Sequence, residues 1–137
     1  MQTFLPYPDF AASAQVLDRA RLGKQRVEAK QILLALTTPG YGWQNHPAVA
    51  MWRGREVALA RYGAAICSEW IARGYRDSLL PYFGAFARRR RTKFPHWLGE
   101  ARVHASHRAN LLRKDPEHYG KFGWREAPAE GYFWPVP

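Results

Sequence analysis

The side chains best placed to do chemistry in this 137-residue chain are four polar ones in its first third. Arg21, Lys24, Glu28 and Gln31 recur at i, i+3, i+7 and i+10, a spacing that sets them along one face of a helix. A carboxylate among cations on a single face has two readings. One is a solvated helix side, with Lys24 and Glu28 paired at i,i+4 for only ~0.3–0.5 kcal/mol. The other is a positively charged cleft that keeps one carboxylate for acid–base work or for stabilising a cationic intermediate. Spacing alone leaves both open. A second stretch, Asn45-His46-Pro47, joins a glycine-rich loop to a helix start. It either caps that helix or uses backbone amides and the His46 imidazole to hold an anion.

The densest cationic run is Arg88-Arg89-Arg90-Arg91, followed by Lys93. Four adjacent arginines point all round a helix, so they suit phosphates rather than any particular base. The plainer reading is a solvated run that complements a helix C-terminus. Between His104 and Lys114 the chain mixes basic and hydrogen-bonding side chains with two leucines, as in an amphipathic helix with its wet face toward an anion. His107, Arg108, Arg113 and Lys114 are the candidate contacts there. The five His and the single Cys lack metal-ligand spacing, so no metal is expected. No cofactor is expected either, because Walker and Rossmann glycine patterns and a nucleophile elbow are all missing.

Charge narrows the partner. Lys and Arg number 21 against 11 acids, for a formal charge of +10. Such a surplus costs self-repulsion and points to a polyanion, here nucleic acid. A non-catalytic basic nucleic-acid-binding module is the alternative to an enzyme. No membrane contact is expected, since no segment pairs a long apolar face with a lysine-rich one, and no protein partner is inferred. One cysteine gives no disulfide framework, and apolar neighbours make Cys67 an ordinary buried thiol. The first residues lack a signal-peptide pattern, so the expected location is the cytoplasm, at the nucleoid if the source is bacterial.

The elements that must carry these residues read as all-α: a compact single-domain bundle over 1–137 of about four to five helices, with an irregular aromatic-rich tail. Pro6 and Pro8 form a stiff turn, and Asp9 caps a helix over Phe10 to Leu17. Asp18 caps a second helix to about Leu36, with Leu22, Ala29, Ile32, Leu33 and Leu36 as its apolar stripe and Gly23 as its weak point. After the break Thr37–Gly42, a third helix with Pro47 in its first turn runs to Arg73. A fourth covers about Asp77 to Arg90 and a fifth Trp97 to Lys114. From Pro116 onward the segment is too rich in Gly, Pro and aromatics to hold a helix. It reads as a strap pinned to the body by its rings.

Taken in order, these stretches resemble the pyrimidine-dimer DNA glycosylase family, the group that includes the phage endonuclease V type enzymes. The likeness begins with Asp18 to Leu33, DRARLGKQRVEAKQIL, where Glu28 and Gln31 form an E-x-x-Q core. It continues through Asn45-His46-Pro47 and Trp52 to Glu69-Trp70-Ile71-Ala72-Arg73-Gly74. It closes with Ser106 to Lys114, Pro116 and Tyr119. The resemblance implies a mostly helical, metal-free DNA glycosylase with abasic-site lyase (endonuclease) activity on damaged duplex DNA, a cyclobutane pyrimidine dimer being the favoured lesion. It implies an N-terminal amine that attacks the sugar C1′ to form a Schiff base, and a glutamate that supports the imine and the strand cleavage that follows. Carried over, these are the amine of Met1 and Glu28, with Arg21, Lys24 and Arg26 holding phosphates. An α-amine, with a reference pKa near ~8, suits that role. Two features depart from the family pattern. Gln2 is too bulky for removal of Met1, where phage-type enzymes expose a small residue, so Lys24 stands as the alternative nucleophile, on the expectation that it is desolvated among cations. Gln31 occupies an expected arginine position, which leaves another damaged base open as the substrate.

Overall fold

Asp9 and Asp18 start the first two helices as the sequence predicts. In the computed structural model, which describes residues 1–88 and 92–136, helix α1 spans Phe10–Val16 and α2 spans Arg19–Thr37. The Asp9 carboxylate accepts from the Ala12 amide at 2.8 Å, and that of Asp18 from the Arg21 amide at 3.2 Å. Each satisfies a donor that the first helical turn leaves without a partner. The remaining helices are α3 Pro47–Ala50, α4 Glu56–Ala72, α5 Leu80–Ala87, α6 Ala101–Lys114 and α7 Pro116–Tyr119, before a 3-10 turn at Gly120–Phe122. The described residues contain no strand, and none of their helices is long and apolar enough to cross a membrane.

The all-α expectation holds, but the described residues form seven helices rather than four or five. The expected helix from Pro47 to Arg73 is two, α3 and α4, separated by a turn in which Gly54 has φ +78°. That turn lets Trp52 swing fully into the core. At the start of α5 the Asp77 carboxylate takes the amides of Leu79 and Leu80, so the helix begins at Leu80, three residues later than expected. Gly99, at φ +95°, separates Trp97 from α6, which begins at Ala101. The segment after Pro116 does hold a helix, if a short one. Asp115 accepts from the His118 amide and Pro116 sits in the first turn, a strong start signal for α7.

The core runs between α4 and its neighbours α1, α2 and α5. Two glycines let these helices approach. A Cβ on Gly23 would lie 2.9 Å from the Trp70 ring, and one on Gly63 would lie 2.4 Å from the ring of Phe83. Gly23 is therefore the crossing point of α2 over α4, not merely a soft spot in α2. The polar tips of buried aromatics are matched as well. Trp52 Nε1 donates to Thr3 Oγ1 at 3.0 Å, and Trp97 Nε1 to the Met51 carbonyl at 2.7 Å. Cys67 is buried as expected. Its burial, then the nearby Asp77 carboxylate, push the thiol up to about 12, which leaves it inert.

The tail is a strap, as its composition suggests. Trp124 stacks on Tyr119 at 5.6 Å and donates to the Tyr7 hydroxyl, Glu126 pairs with Arg108, and the Phe133 amide bonds to Ser106 Oγ.

Replacing Gly63 with Ala sets two effects against each other. Helix propensity favours Ala by about 1 kcal/mol, whereas forcing a methyl against a fully buried ring costs about 1–3 kcal/mol. The clash with Phe83 should win, lowering the urea midpoint with an unchanged denaturant slope.

Candidate active site

Residues 2–7 form no helix and pair with no strand, yet Gln2 to Leu5 are buried. Buried backbone without ladder partners must find others, and side chains of the helices supply them. Gln25 on α2 uses all four of its hydrogen-bonding positions. Its Oε1 accepts from the Phe4 amide at 3.0 Å and lies 2.6 Å from the Tyr62 hydroxyl. Its Nε2 donates to the Gln2 carbonyl at 2.8 Å and to Glu28 Oε2 at 2.9 Å. Tyr62 on α4 also lies 2.9 Å from the Phe4 carbonyl. From α6, His107 Nδ1 accepts from the Leu5 amide at 2.9 Å, and His104 Nδ1 faces the Leu5 carbonyl at 2.8 Å. His104 Nε2 accepts from the Gly99 amide, so its proton is on Nδ1 and is donated to Leu5. Arg108 reaches the Pro6 carbonyl at 2.7 Å.

This clamp carries Met1 to one end of a cavity of about 430 Å3. One part of its wall is charged: Arg21, Lys24 and Glu28 from α2, and Lys114 from the end of α6. Another part is apolar, with Phe4 and the tail residue Tyr132, whose rings meet edge to face at 6.3 Å. Glu28 is the enclosed member, its side chain 13% exposed. It faces Lys24 Nζ at 3.6 Å, and the Gln2 amide approaches its Oε2 at 3.4 Å. Lys114 is held below the ordinary lysine range, first by burial and then by the cations Arg21, Arg113 and Lys24. The arrangement sets the N-terminal residue, a shielded carboxylate and three cations around a space that also has two aromatic rings in its wall. It can take an anionic backbone and the flat face of a base together.

A family model for pyrimidine dimer DNA glycosylases matches residues 1–80. That is more than half of the chain, and it contains Met1, Gln25 and Glu28. The chain belongs to the pyrimidine dimer DNA glycosylase family. No curated protein and no solved structure matches it. The match ends at the first residue of α5, so the glycosylase-family span supplies the clamp on α2 and α4, while Lys114, Tyr132 and the two histidines of α6 come from beyond it.

The structure distributes the candidate residues unevenly. Met1, Arg21, Lys24, Glu28 and Lys114 meet at the cavity. Gln31, a further turn along α2, does not line it. Arg26 points elsewhere: it pairs with Asp77 at 2.7 Å and lies over the Trp70 ring at 4.9 Å, which makes it a strut between α2 and the start of α5. His107 is fully buried and Arg108 forks onto Glu126 at 2.8 and 3.1 Å, so both brace the fold instead of facing a ligand. Lys24 is not desolvated. Its side chain is 74% exposed and paired with a carboxylate, the reverse of the setting expected for an alternative nucleophile. His46 caps α3 by accepting the Ala48 amide at 3.0 Å. Its affinity for a proton is lowered by burial and then by the charge of the N-terminal amine. Asn45, Arg88, Lys93 and Arg113 are exposed, and Arg89, Arg90 and Arg91 lie outside the described residues.

Gln25, Tyr62 and His104 escaped the sequence reading. Gln25 sits three residues before Glu28 in the quoted motif, and its position on the same face was the signal available. Nothing local marks Tyr62 or His104 as partners of residues 4 and 5.

Burial, then the charges of His104 and Arg108, lower His107 to about 3 from an unfolded value near 6.5. A depressed histidine stabilises the fold fully above the unfolded value, and that contribution drains away as pH falls from about 6.5 toward 3. The slope from one such proton is about 1.4 kcal/mol per pH unit. In His107→Gln, whose amide oxygen can still accept from Leu5, denaturant titrations between pH 6.5 and 4 should show an acid limb shallower by about one proton.

Proposed function

We propose that this protein removes damaged bases from duplex DNA as a combined glycosylase and abasic-site lyase, with the Met1 α-amine as nucleophile and a cyclobutane pyrimidine dimer as the preferred lesion. The observation that carries this reading is the shared cavity of Met1 and Glu28, ringed by Arg21, Lys24 and Lys114. The family supports it by making DNA the substrate class and base excision the activity class.

In this reading the cations hold the phosphates beside the lesion, and Phe4 and Tyr132 receive the apolar face of the extruded nucleotide. The sugar carbon is out of reach inside a stacked duplex, so the nucleotide must leave the stack, which costs least at a damaged pair. The amine nitrogen then bonds to C1′ as the bond from C1′ to the base breaks, and the sugar ring opens to an imine. Glu28, whose Oε2 lies 3.4 Å from the Gln2 amide, the next nitrogen along the chain from the amine, exchanges protons with the amine in this reading and stabilises the cationic imine electrostatically. Gln25 holds that carboxylate in place from the other side. An α-amine suits the nucleophile's role because its class titrates near ~8, well below lysines in water.

Borohydride should trap a covalent adduct between the untagged protein and duplex DNA carrying either an abasic site or a thymine dimer. Peptide mapping should place the adduct on residue 1 and not on Lys24 or Lys114. An adduct on the abasic duplex alone would keep the lyase and exclude the dimer. Tight binding with no adduct on either would identify a non-catalytic binding module.

Glu28→Gln should lower single-turnover cleavage by about a hundredfold or more, the ordinary yield of a positioned acid–base group, while still binding damaged duplex. Undiminished cleavage would remove Glu28 from the mechanism. A short N-terminal extension should abolish turnover and leave affinity nearly unchanged.

A further inference from the structure

A groove with a volume of about 430 Å3 lies between α1, α4 and the loop before α6. It shares no residue with the cavity at Met1. Phe10, Ala65, Phe94 and Leu98 line it together with Pro8 and Ala11, and Asp9 is the one polar residue among them. Asp9 is engaged already, as the cap that takes the Ala12 amide. Phe94 is 48% exposed, yet its loop is braced. Pro95 and Trp97 are buried beside it, and the Leu98 amide closes a turn on the Pro95 carbonyl at 3.1 Å. The Phe94 ring meets Phe10 edge to face at 6.0 Å, and Phe10 in turn meets the rings of Trp52 and Tyr62 in the core. A single exposed apolar side chain calls for no explanation. One that is held in place as the wall of an apolar groove fits an interaction site.

The charges around the groove select its occupant. Lys93 precedes Phe94 and is exposed, and Arg61 sits one helical turn before Ala65 on the same face of α4. Neither is paired with a carboxylate among the described residues. Glu69, one turn beyond Ala65, is neutralised by Arg73 at 2.7 Å. A second copy of this chain fits poorly, because each copy carries a charge of +10 and two copies repel. Duplex DNA would satisfy the cations, but its phosphates lose hydration against an apolar lining and gain nothing from it. A chain that brings carboxylates and a large apolar side chain together suits both features.

We propose that this groove docks an acidic peptide segment of a partner protein. One large apolar side chain of that segment sits against Phe10, Ala65 and Phe94, and its carboxylates face Arg61 and Lys93. The apolar anchor supplies most of the affinity, while the charges set the direction of the peptide and speed its encounter. Docking there leaves the cavity at Met1 free.

The test selects binders from a library of random displayed short peptides on the immobilised full-length protein. Selected peptides should combine several Asp or Glu with one Phe, Trp or Leu. Fluorescein-labelled synthetic copies should bind wild type in solution, and more weakly as salt rises. Changing the one large apolar residue of the peptide to Ala should weaken binding about tenfold or more, the scale of a lost anchor. Phe94→Ala should cause a similar loss while keeping the wild-type melting curve and the wild-type affinity for duplex DNA. The double variant Arg61→Gln, Lys93→Gln should weaken the peptide and flatten its salt dependence. A library that yields no binder, or binders without carboxylates, would overturn the proposal. So would acidic binders indifferent to Phe94→Ala, which marks a general attraction to a basic protein. Equal losses of peptide and duplex DNA in Phe94→Ala would assign the groove to nucleic acid instead.

Discussion

The rest of the structure depends on how the buried residues 2–5 satisfy their backbone. They carry amides and carbonyls into the interior without helix or sheet to receive them. Each such group left unpaired would cost about 1–3 kcal/mol. Gln25, Tyr62, His104 and His107, from three different helices, meet them instead. The same contacts tie α6 to α2 and α4 through this segment. Folding and the placement of the terminal amine are thus one event.

That coupling explains the division of labour among the basic residues. A positive surplus spread over the sequence looks uniform, but the fold sorts it. Arg26, Arg73 and Arg108 are spent inside, on Asp77, on Glu69 with the carbonyls of α1, and on Glu126 with Pro6. Arg21, itself bridged to Asp18 at 3.2 Å, lines the cavity with Lys24 and Lys114, around a carboxylate that would otherwise be the anomaly of a basic surface. Glu28 keeps its place because Gln25 donates to one of its oxygens and Lys24 faces the other.

The C-terminal third completes the cavity. Its rings dock along the body, and Tyr132 joins Phe4 in the cavity wall. Asn110 donates to the Gly131 carbonyl and Ser106 accepts from the Phe133 amide, which fixes the strap from α6. The helix that clamps Leu5 from one side therefore positions Tyr132 from the other.

What the sequence determined by itself is local: caps, apolar stripes and the motif face. Asp9, Asp18 and Pro47 mark helix starts because the first-turn amides need acceptors within three residues. The spacing of Arg21, Lys24 and Glu28 sets them on one side of α2 because helical geometry alone dictates it. The roles given to Glu28 and the N-terminal amine came from family likeness, not from periodicity. Tertiary structure decided the rest. It broke the Pro47–Arg73 stretch at Gly54, set α2 against α4 at Gly23, and turned Arg26, His107 and Arg108 inward. It also brought Lys114 and Tyr132 to Met1 across more than a hundred residues. Whether a basic side chain ends as strut or ligand depends on which carboxylate or carbonyl the chain folds against it. That pairing is set by contacts distant in sequence, which periodicity does not encode.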